Sequence, residues 1–425
     1  MLTHVIETAL SLSASKIHVI YGHGGDQVKQ ELGHLQDVDW TEQPEQLGTG
    51  HAVQQAVSKL ESNSTVLILY GDVPLIQQQT LDSLIASVND KQMGLLTARL
   101  DNPTGYGRII RDQQQVVQKI VEHKDANDTD LLVNEVNTGI MAVQSAQLIT
   151  WLSNLDNNNV QGEYYLTDII EMAVKDNITV AGTVTDDEVE VTGINDKVQL
   201  QEMERAYQRR QAESLMRTGA TMTDASRFDL RGTCIVGQDV FIDANVIMEG
   251  KISLGNRVSI GPNVVLKNMT IDDDVTVFAN SVLEDSVIGK GSRIGPFARI
   301  RPETELSSNT HVGNFVEIKK TTVGAGSKIN HLSYIGDSEI GSGVNVGAGT
   351  ITCNYDGANK FKTIIGDNVF IGSDTQLVAP VKIGAGATIG AGSTITRDTP
   401  DKKLTLSRSK QISIDNWQRP VKTKK

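Results

Sequence analysis

Residues 288–318 read IGKGSRIGPFARIRPETELSSNTHVGNFVEI, and an aliphatic residue recurs in this stretch at every sixth position. The series consists of Ile288, Ile294, Ile300, Leu306, Val312 and Ile318. The following residue is often Gly or Asp, which adopt corner backbone conformations that other residues resist. An ordinary β-sandwich would instead alternate with period two and space its turns irregularly. The period therefore predicts a triangular prism in which each hexad supplies one short strand and one corner.

The same period extends over most of the C-terminal half. From about Leu230 to Ile395 the aliphatic positions continue, with an occasional step of five residues. Three hexads close one coil, and coils stack about 4.8 Å apart, so this half is predicted to form about nine coils. A polar segment, CNYDGANK at residues 353–360, interrupts the repeat. Loops that leave a rigid solenoid often carry function, although a tolerated insertion is the alternative.

Residues 1–195 alternate apolar runs with helical patterns. The runs IHVIY at 17–21 and VLILY at 66–70 are typical of buried strands, whereas residues 51–60 and 80–88 have helical patterns. This alternation predicts an α/β domain with parallel strands, of the Rossmann-like class. Such folds bind ligands in the polar loops that follow the strands.

A segment rich in helix formers and charged residues separates the two halves. It occupies residues 196–219 and predicts a linker helix that begins at Asn195 or Asp196 and ends at Gly219. The repeat domain with its C-terminal tail then occupies residues 220–425.

Composition limits the functional classes. The 425 residues are enough for two domains. The 39 basic and 52 acidic residues give a net charge of −13, and this charge argues against broad binding to nucleic acid or anionic membranes. We find no apolar run of about 18 residues and no basic start followed by an apolar stretch, and we expect a cytoplasmic protein. The two cysteines, Cys234 and Cys353, provide neither a disulfide framework nor a zinc-binding spacing.

Two cations in the repeat half occupy an unusual position. Arg301 and Lys319 each follow an inward aliphatic residue, where the repeat prefers Gly or Asp, and they lie 18 positions, or one coil, apart. Like charges stacked in this way repel unless an anion lies between them, and a phosphate suits that role. The alternative is that their long side chains splay into water.

The repeat half contains two histidines, His311 and His331, whereas the β-helix carbonic anhydrases need three for zinc. The hexad register places Asn314 one coil below His331 and Ala348 one coil above it. Imidazole titrates near neutral pH and is suited to accept a proton from an amine that attacks a thioester. A plain surface histidine is the alternative.

Six segments of the N-terminal half resemble the sugar-nucleotide pyrophosphorylases: EQLGTGHA at 45–52, YGDVPL at 70–75, PTGYGR at 103–108, VEHK at 121–124, NTG at 137–139 and EYYLTD at 163–168. An isolated aspartate such as Asp72 after a strand is more often a helix cap or a turn, but the ordered series favours function. The resemblance implies that Mg²⁺ is held by Asp72 and Asn195. It implies that the nucleotide sugar is contacted by Gln43, Gly48, Thr49, Tyr70, Gly71, Gly107, Glu122, Asn137 and Asn195.

One departure concerns the phosphate site. The family's strand and Gly-rich loop, roughly LAAGxGTRM followed by PK, have no counterpart here, and YGHGGD at 21–26 matches a later part of the family. The sequence starts within what corresponds to the first helix. A phosphoryl-transfer site without this cradle loses electrostatic stabilisation, so we expect impaired uridylyl transfer.

The repeat half resembles the left-handed parallel β-helix of hexapeptide-repeat acyltransferases. Arg301, NFVEIK at 314–319, HLSY at 331–334, NVGAGT at 345–350 and NYDG at 354–357 resemble the bacterial N-acetylglucosamine-1-phosphate uridylyltransferase/glucosamine-1-phosphate N-acetyltransferases. The resemblance implies a homotrimer whose product feeds peptidoglycan and lipid A synthesis, with His331 as the general base. It implies a glucosamine 1-phosphate site of Arg301, Lys319, Tyr334, Asn345 and Lys360. It implies an acetyl-CoA site of Ala348, Asn354, Tyr355, Ser373, Ala391 and Arg408.

Two other classes compete with this interpretation. Nucleotidyltransferase-like domains fused to hexad repeats also occur in non-catalytic regulatory subunits of exchange factors. In some pyrophosphorylases the repeat domain only assembles the oligomer. Neither class requires a histidine beside two stacked cations.

Overall fold

A computed structural model of the chain describes residues 1–35 and 38–422. The chain divides into two compact units, Met1–Ala206 and Tyr207–Lys425. The division falls within helix α9, Lys197–Thr218. Asp196 caps this helix, because its Oδ1 accepts hydrogen bonds from the backbone N–H groups of Val198 and Gln199, both at 2.8 Å. Gly219 follows the helix with φ +141°, a conformation that favours glycine.

The described part of the N-terminal unit contains eight further helices. They are α1 Leu2–Ser11, α2 Gly25–Leu32, α3 Thr49–Gln54, α4 Gln78–Ala86, α5 Asp128–Leu131, α6 Ser145–Leu152, α7 Asp168–Lys175 and α8 Glu188–Val191. The segment predicted as one helix over residues 51–60 is therefore shorter, and a 3₁₀ turn follows at Val57–Lys59.

The strands of this unit form two separate sheets. The strands are β1 Ile17–Tyr21, β2 Val38–Glu42, β3 Thr65–Ile68, β4 Gln92–Arg99, β5 Arg108–Arg111, β6 Val117–Val121, β7 Glu135–Gln144 and β8 Thr179–Thr185. Strands β1 and β2 pair in parallel as a two-stranded sheet. The other six have the order β6-β5-β7-β4-β8, with β3 also paired to β7.

The prediction of parallel strands is only partly right. Strand β4 pairs in parallel with β8, but β7 runs antiparallel to β3, β4 and β5. Strands β5 and β6 are joined by a short turn, a connection that only antiparallel neighbours allow. The run that forms β7 is buried on both faces, and such a run specifies burial but not direction.

A cavity of about 790 Å³ lies between the two sheets of this unit. Helix α1 and strands β1 and β3 line it, and Thr49, Tyr70 and Gly71 lie at its wall. The unit's main core packs strands β4 and β7 against helices α6 and α7, as seen for Leu95, Met141 and Leu148.

The C-terminal unit is a parallel β-helix. Its strands are β9 Ala220–Met222, β10 Phe228–Val236, β11 Val240–Ile242, β12 Val246–Leu254, β13 Ser259–Ile260, β14 Val265–Ile271, β15 Thr276–Val277, β16 Val282–Ile288, β17 Arg293–Ile294, β18 Arg299–Ile300, β19 Thr304–Leu306, β20 His311–Asn314, β21 Glu317–Val323, β22 Lys328–His331, β23 Tyr334–Ile340, β24 Asn345–Val346, β25 Ile351–Cys353, β26 Thr363–Ile365, β27 Phe370–Ile371, β28 Gln376–Val378, β29 Val381–Ile383, β30 Thr388–Ile389, β31 Thr394–Ile395 and β32 Leu404–Thr405.

The hexad prediction is confirmed by the register and burial of these strands. Each strand pairs in parallel with its counterpart one coil away, as Ile300 pairs with Ile318 and Ile318 with Ile335. All the predicted inward aliphatic residues are buried except Val236, which is half-buried against the same core. The stacked aliphatic side chains fill the prism, so the coil spacing and the corner positions are set by the repeat itself.

Within residues 1–35 and 38–422, no helix combines the length and the apolar character needed to span a bilayer.

Candidate active sites

One corner of the β-helix carries a column of five predicted site residues, with Asn314 one coil below them. From bottom to top, the column consists of His331, Ala348, Ser373, Ala391 and Arg408. Successive backbone carbonyls along the column each accept a hydrogen bond from the next coil. The pairs are Leu332 N to Asn314 O at 3.2 Å, Gly349 N to His331 O at 3.3 Å, Asp374 N to Ala348 O at 2.7 Å, Gly392 N to Ser373 O at 2.8 Å and Arg408 Nη1 to Ala391 O at 2.9 Å. Small side chains therefore lie above His331, and Arg408 lies at the top.

His331 presents an exposed imidazole on this corner. Its Nδ1 lies 3.2 Å from Oδ1 of Asn314, and Oγ of Ser333 donates to its backbone carbonyl at 2.8 Å. The backbone of the histidine is thus fixed by hydrogen bonds, while Nε2 remains the ring atom available to a ligand. The arrangement is suited to proton transfer at the surface of a rigid coil.

The two cations predicted to stack do lie in register on adjacent coils. Ile300 pairs with Ile318, and the backbone N–H of Arg301 donates to the carbonyl of Ile318 at 2.8 Å, so Arg301 lies next to Lys319. Glu317 accepts from Nη1 of Arg301 at 2.7 Å, and this bond raises the pKa of the guanidinium. The carboxylate of Glu317 therefore orients Arg301, and Lys319 is available to bind an anion.

Lys360 from the polar loop joins these cations. The loop is closed by a bridge between Tyr355 and Lys360. The Lys360 ammonium lies within hydrogen-bonding reach of Lys319 and, together with Arg301, lowers the pKa of Lys319 below its usual value. Three positive groups from two coils and a loop therefore face one space, which suits a phosphate.

Gly336 opens the space beside these cations. It pairs with Lys319 one coil below, and a Cβ at this position would lie 2.7 Å from Nδ2 of Asn354. Nδ2 of Asn354 donates to Oδ2 of Asp337 at 2.6 Å and lies 3.5 Å from the hydroxyl of Tyr334. Asn354 is buried by these contacts, so its amide is tied to the sugar-site residues rather than exposed beside the column.

Two predicted residues lie further from this group. Asn345 is on β24, between Lys328 of β22 and Phe370 of β27, and so belongs to the sheet that carries His331 rather than to the sheet of Lys319. Tyr355 is 60% exposed, and its hydroxyl donates to the carbonyl of Gly357 at 2.6 Å.

Sequence reasoning did not assign a role to three residues of this site. These are Asn314, Glu317 and Gly336. Asn314 and Glu317 belong to the NFVEIK segment, and the 17- or 18-residue coil length aligns each with a site residue. The hexad register alone could have identified Asn314 and Glu317. The close approach of Asn354 to Gly336, by contrast, is visible only in the structure.

In the N-terminal unit, the EQLGTGHA and EYYLTD segments pack against each other. Gly48 has φ +108°, and a Cβ there would lie 2.7 Å from the carbonyl oxygen of Tyr164. That carbonyl accepts from the backbone N–H of Gly50 at 2.8 Å, and the hydroxyl of Thr49 accepts from the N–H of Leu166 at 3.2 Å. Glycine is required because the two chains approach so closely.

Gln43 and Tyr70 border the same region. Nε2 of Gln43 lies 3.2 Å from the Gly48 carbonyl oxygen and 3.0 Å from Nδ1 of His51. The Tyr70 ring packs on Gly139, and burial, reinforced by the charges of Glu122 and Asp72, raises the pKa of Tyr70 to about 12. The phenol therefore stays protonated at physiological pH and available as a hydrogen-bond donor.

Glu122 and Asn137 meet at Gly107. The backbone N–H of Asn137 donates to the Gly107 carbonyl at 2.8 Å, and a Cβ on Gly107 would lie 3.3 Å from Oε2 of Glu122. Oε1 of Glu122 accepts from Thr167 at 2.9 Å, while burial raises the pKa of Glu122. Gly107, Glu122 and Asn137, which were predicted to contact the sugar nucleotide, therefore lie together on one side of this site.

Asp72 and Asn195 lie on either side of Gly193. A Cβ on Gly193 would be 3.8 Å from Oδ2 of Asp72 and 4.0 Å from Nδ2 of Asn195. The backbone N–H of Ile194 donates to the Asp72 carbonyl at 2.9 Å and fixes this approach. One carboxylate and one amide suit Mg²⁺, which takes one or two protein ligands and completes its shell with water and phosphate. Within the described ranges, no group of three His, Cys, Asp or Glu residues has a metal-binding arrangement.

Family models match both halves of the chain. Residues 1–131 match a MobA-like NTP transferase domain, residues 362–397 match the bacterial transferase hexapeptide (six repeats), and residues 230–304 match the GMPPB C-terminal domain. The chain is 57% identical to the bifunctional protein GlmU of Methylococcus capsulatus over 100% of its own length and 92% of that relative's. The chain belongs to the GlmU family.

Two further GlmU relatives agree. Those of Acinetobacter baylyi and Pseudomonas putida are each 54% identical to this chain, over 100% of its length and 93% of theirs. The GlmU family consists of bifunctional acetyltransferase/uridylyltransferases that act in cell-wall synthesis, so the chain is a transferase with two domains. The non-catalytic regulatory subunit is not favoured.

Proposed function

We propose that His331 removes a proton from the amine of glucosamine 1-phosphate as that nitrogen attacks the thioester carbon of acetyl-CoA. The C–N bond forms, the C–S bond breaks, and the imidazolium returns its proton to the departing thiolate. The proposal is supported by the exposed ring of His331 and by its Nδ1 contact of 3.2 Å with Asn314, which leaves Nε2 facing outward.

Arg301, Lys319 and Lys360 bind the 1-phosphate of this substrate. Three cations that face one space are unfavourable alone and become favourable around a phosphate that carries nearly two negative charges. The lowered pKa of Lys319 supports this assignment, because it reflects the repulsion that the phosphate would relieve. Tyr334 borders the sugar through its hydroxyl, and Asn345 approaches it from the neighbouring sheet.

The small residues above His331 accommodate acetyl-CoA. Ala348, Ser373 and Ala391 leave a shallow path along the corner, and Arg408 at its end suits the cofactor's phosphates. Tyr355 would border the same path from the loop, whereas Asn354, also predicted for this site, has its amide buried against Asp337 and Tyr334. Binding along a rigid corner would place the thioester beside the amine with little loss of freedom in the protein.

The reaction of the N-terminal unit is uridylyl transfer from UTP to N-acetylglucosamine 1-phosphate, which we expect to be impaired in this chain. An oxygen of the sugar phosphate attacks the α-phosphorus of UTP, and pyrophosphate leaves. Gln43, Gly48, Thr49, Tyr70 and Gly71 bind the nucleotide, whereas Gly107, Glu122, Asn137 and Asn195 bind the sugar side. Asp72 and Asn195 would hold Mg²⁺, which neutralises phosphate charge when it is bound.

The protein acts on small molecules in the cytoplasm, and its product is UDP-N-acetylglucosamine. The β-helix assembles as a homotrimer, as the resemblance to this family implies. Neither nucleic acid nor a membrane is a partner, in keeping with the net charge of −13.

The register of Arg301 with Lys319 on adjacent coils, joined by Lys360 from the loop, is the observation that carries this proposal. A thiol-release assay with acetyl-CoA tests it directly, with glucosamine 1-phosphate, glucosamine 6-phosphate and glucosamine as acceptors. We expect rapid thiol release with glucosamine 1-phosphate. Either competitor should show a kcat/KM at least about tenfold lower, because a misplaced or missing phosphate cannot contact the three cations. Equal rates with all three acceptors would contradict it.

A further inference from the structure

Asn314 lies directly below His331 on the preceding coil. Strand β20 pairs with β22 so that Asn314 and His331 are partners, and the Leu332 N–H donates to the Asn314 carbonyl at 3.2 Å. The side chains meet as well, because Oδ1 of Asn314 lies 3.2 Å from Nδ1 of His331. The two residues are thus joined through both backbone and side chain.

This contact determines which ring nitrogen of His331 is the base. A neutral imidazole carries one proton, on Nδ1 or on Nε2, and only the bare nitrogen accepts another. The amide oxygen of Asn314 accepts a hydrogen bond and does not donate one. Its position at Nδ1 therefore requires the proton there, which leaves the lone pair on Nε2.

The backbone around the ring is fixed well enough to keep this contact. The His331 carbonyl accepts from Oγ of Ser333 at 2.8 Å and from the N–H of Gly349 at 3.3 Å. With the His331 carbonyl held by these two hydrogen bonds, the ring orientation depends mainly on its side-chain partner.

A neutral amide also suits the charges around the ring. The ionisable groups on the packed strands are His311, three residues before Asn314 on β20, its partner Lys328 on β22, and Arg293 on β17. The amide of Asn314 adds no charge beside the ring, whereas a carboxylate at position 314 would add a negative one.

We propose that Asn314 is a positioning residue that holds His331 in the tautomer with the proton on Nδ1 and the lone pair on Nε2. The proposal rests on the assignment of His331 as the general base of acetyl transfer. Asn314 itself need not touch either substrate, and it acts only through the histidine.

The test compares Asn314→Leu and Asn314→Asp with the unsubstituted enzyme in pH–rate profiles of acetyl transfer. Asn314→Leu removes the acceptor, and we expect kcat to fall about tenfold or more with little change in the KM for glucosamine 1-phosphate. Asn314→Asp keeps an acceptor but adds a charge. We expect its acid limb to move to higher pH by about one unit and its kcat to recover above that limb.

Asn263→Asp provides the matched control. Asn263 lies in a hydrogen-bonded column with Asn245 and Asn280, at 3.0 and 3.1 Å, remote from His331 in the strand order. Its substitution should leave the profile unchanged. Melting curves would identify a variant that fails to fold, and the nearly isosteric Asn314→Asp keeps the proposal testable if Asn314→Leu does.

Three results would overturn the proposal. They are a normal kcat in Asn314→Leu, an unmoved acid limb in Asn314→Asp, and an Asn314→Asp kcat as low as that of Asn314→Leu at every pH. The last result would mean that the amide N–H, not its oxygen, faces the ring. If His331→Ala also kept its kcat, the underlying assignment of the base would be wrong, so the two failures are distinguishable.

Discussion

The ammonium groups of Lys319 and Lys360 lie within hydrogen-bonding reach of each other, one on the β-helix and the other on the loop that interrupts it. Two cations within hydrogen-bonding reach destabilise each other unless an anion lies between them. Arg301 adds a third positive group but is already paired with Glu317 at 2.7 Å. Lys319, whose pKa is lowered by Lys360 and Arg301, is therefore the group whose charge a bound phosphate would stabilise most directly.

Replacing Lys360 by Met should raise the KM for glucosamine 1-phosphate about tenfold, because one phosphate partner is lost. Lys360 lowers the pKa of Lys319, so Lys319 loses its proton at a lower pH than an ordinary lysine. In Lys360→Met this cause is gone, and the rise of KM at alkaline pH should begin at higher pH. Steady-state kinetics between about pH 7 and 10 measure both effects.

Lys362→Met is the control, since Lys362 lies only two residues after Lys360 but pairs with Glu339. Its KM should match that of the unsubstituted enzyme. An unchanged KM in Lys360→Met would exclude this lysine from the phosphate site.

Asp72→Asn tests the proposed Mg²⁺ site in the N-terminal unit. The substitution keeps the size of the side chain but removes the charge that a hard cation prefers. We expect Mg²⁺-dependent binding of UDP-N-acetylglucosamine to weaken about tenfold or more in calorimetry, while acetyl transfer stays normal. Binding that is equally strong with and without Mg²⁺ in both proteins would contradict the assignment.

Asp168 should make the N-terminal unit less stable as pH rises. Burial, reinforced by Asp156 and Glu122, raises the pKa of Asp168 to about 6, above its usual 3.8. Between these values the folded protein binds more protons than the unfolded chain, so stability falls as pH increases through that window. Asp168→Asn should melt at a higher temperature than the unsubstituted protein at pH 7 and lose that advantage near pH 4.

Asp82→Asn serves as the control, because Asp82 is an exposed carboxylate on helix α4, whereas the charges that raise the pKa of Asp168 belong to Asp156, Glu122, Glu171 and Asp125. Its melting temperature should follow that of the unsubstituted protein across the same pH range. A pH-independent difference for Asp168→Asn would mean that helix packing, not ionisation, explains the effect.

The prism was predictable because one period fixes both the inward residue and the coil spacing. That regularity also placed Arg301, which follows Ile300, in register with Lys319, and it placed His331 one coil above Asn314. The position of Lys360 was not predictable in this way, because a loop outside the repeat has no register. Its approach to Lys319 was implied only by resemblance.

The N-terminal unit was less predictable, since buried strands such as β7 reveal burial but not direction. The approach of Asp72 and Asn195, more than one hundred positions apart in sequence, depends on tertiary packing around Gly193. The expectation of impaired uridylyl transfer stays a prediction, and the yield of UDP-N-acetylglucosamine from UTP and N-acetylglucosamine 1-phosphate would test it.

The central claim is that His331 is the proton acceptor in acetyl transfer. The direct measurement is kcat for thiol release by His331→Ala and by the unsubstituted protein, with saturating acetyl-CoA and glucosamine 1-phosphate. We predict a fall of about 10²-fold or more, with the melting temperature of the β-helix preserved, because the side chain is exposed and contributes little to the core. A folded His331→Ala protein with a nearly normal kcat would contradict the account.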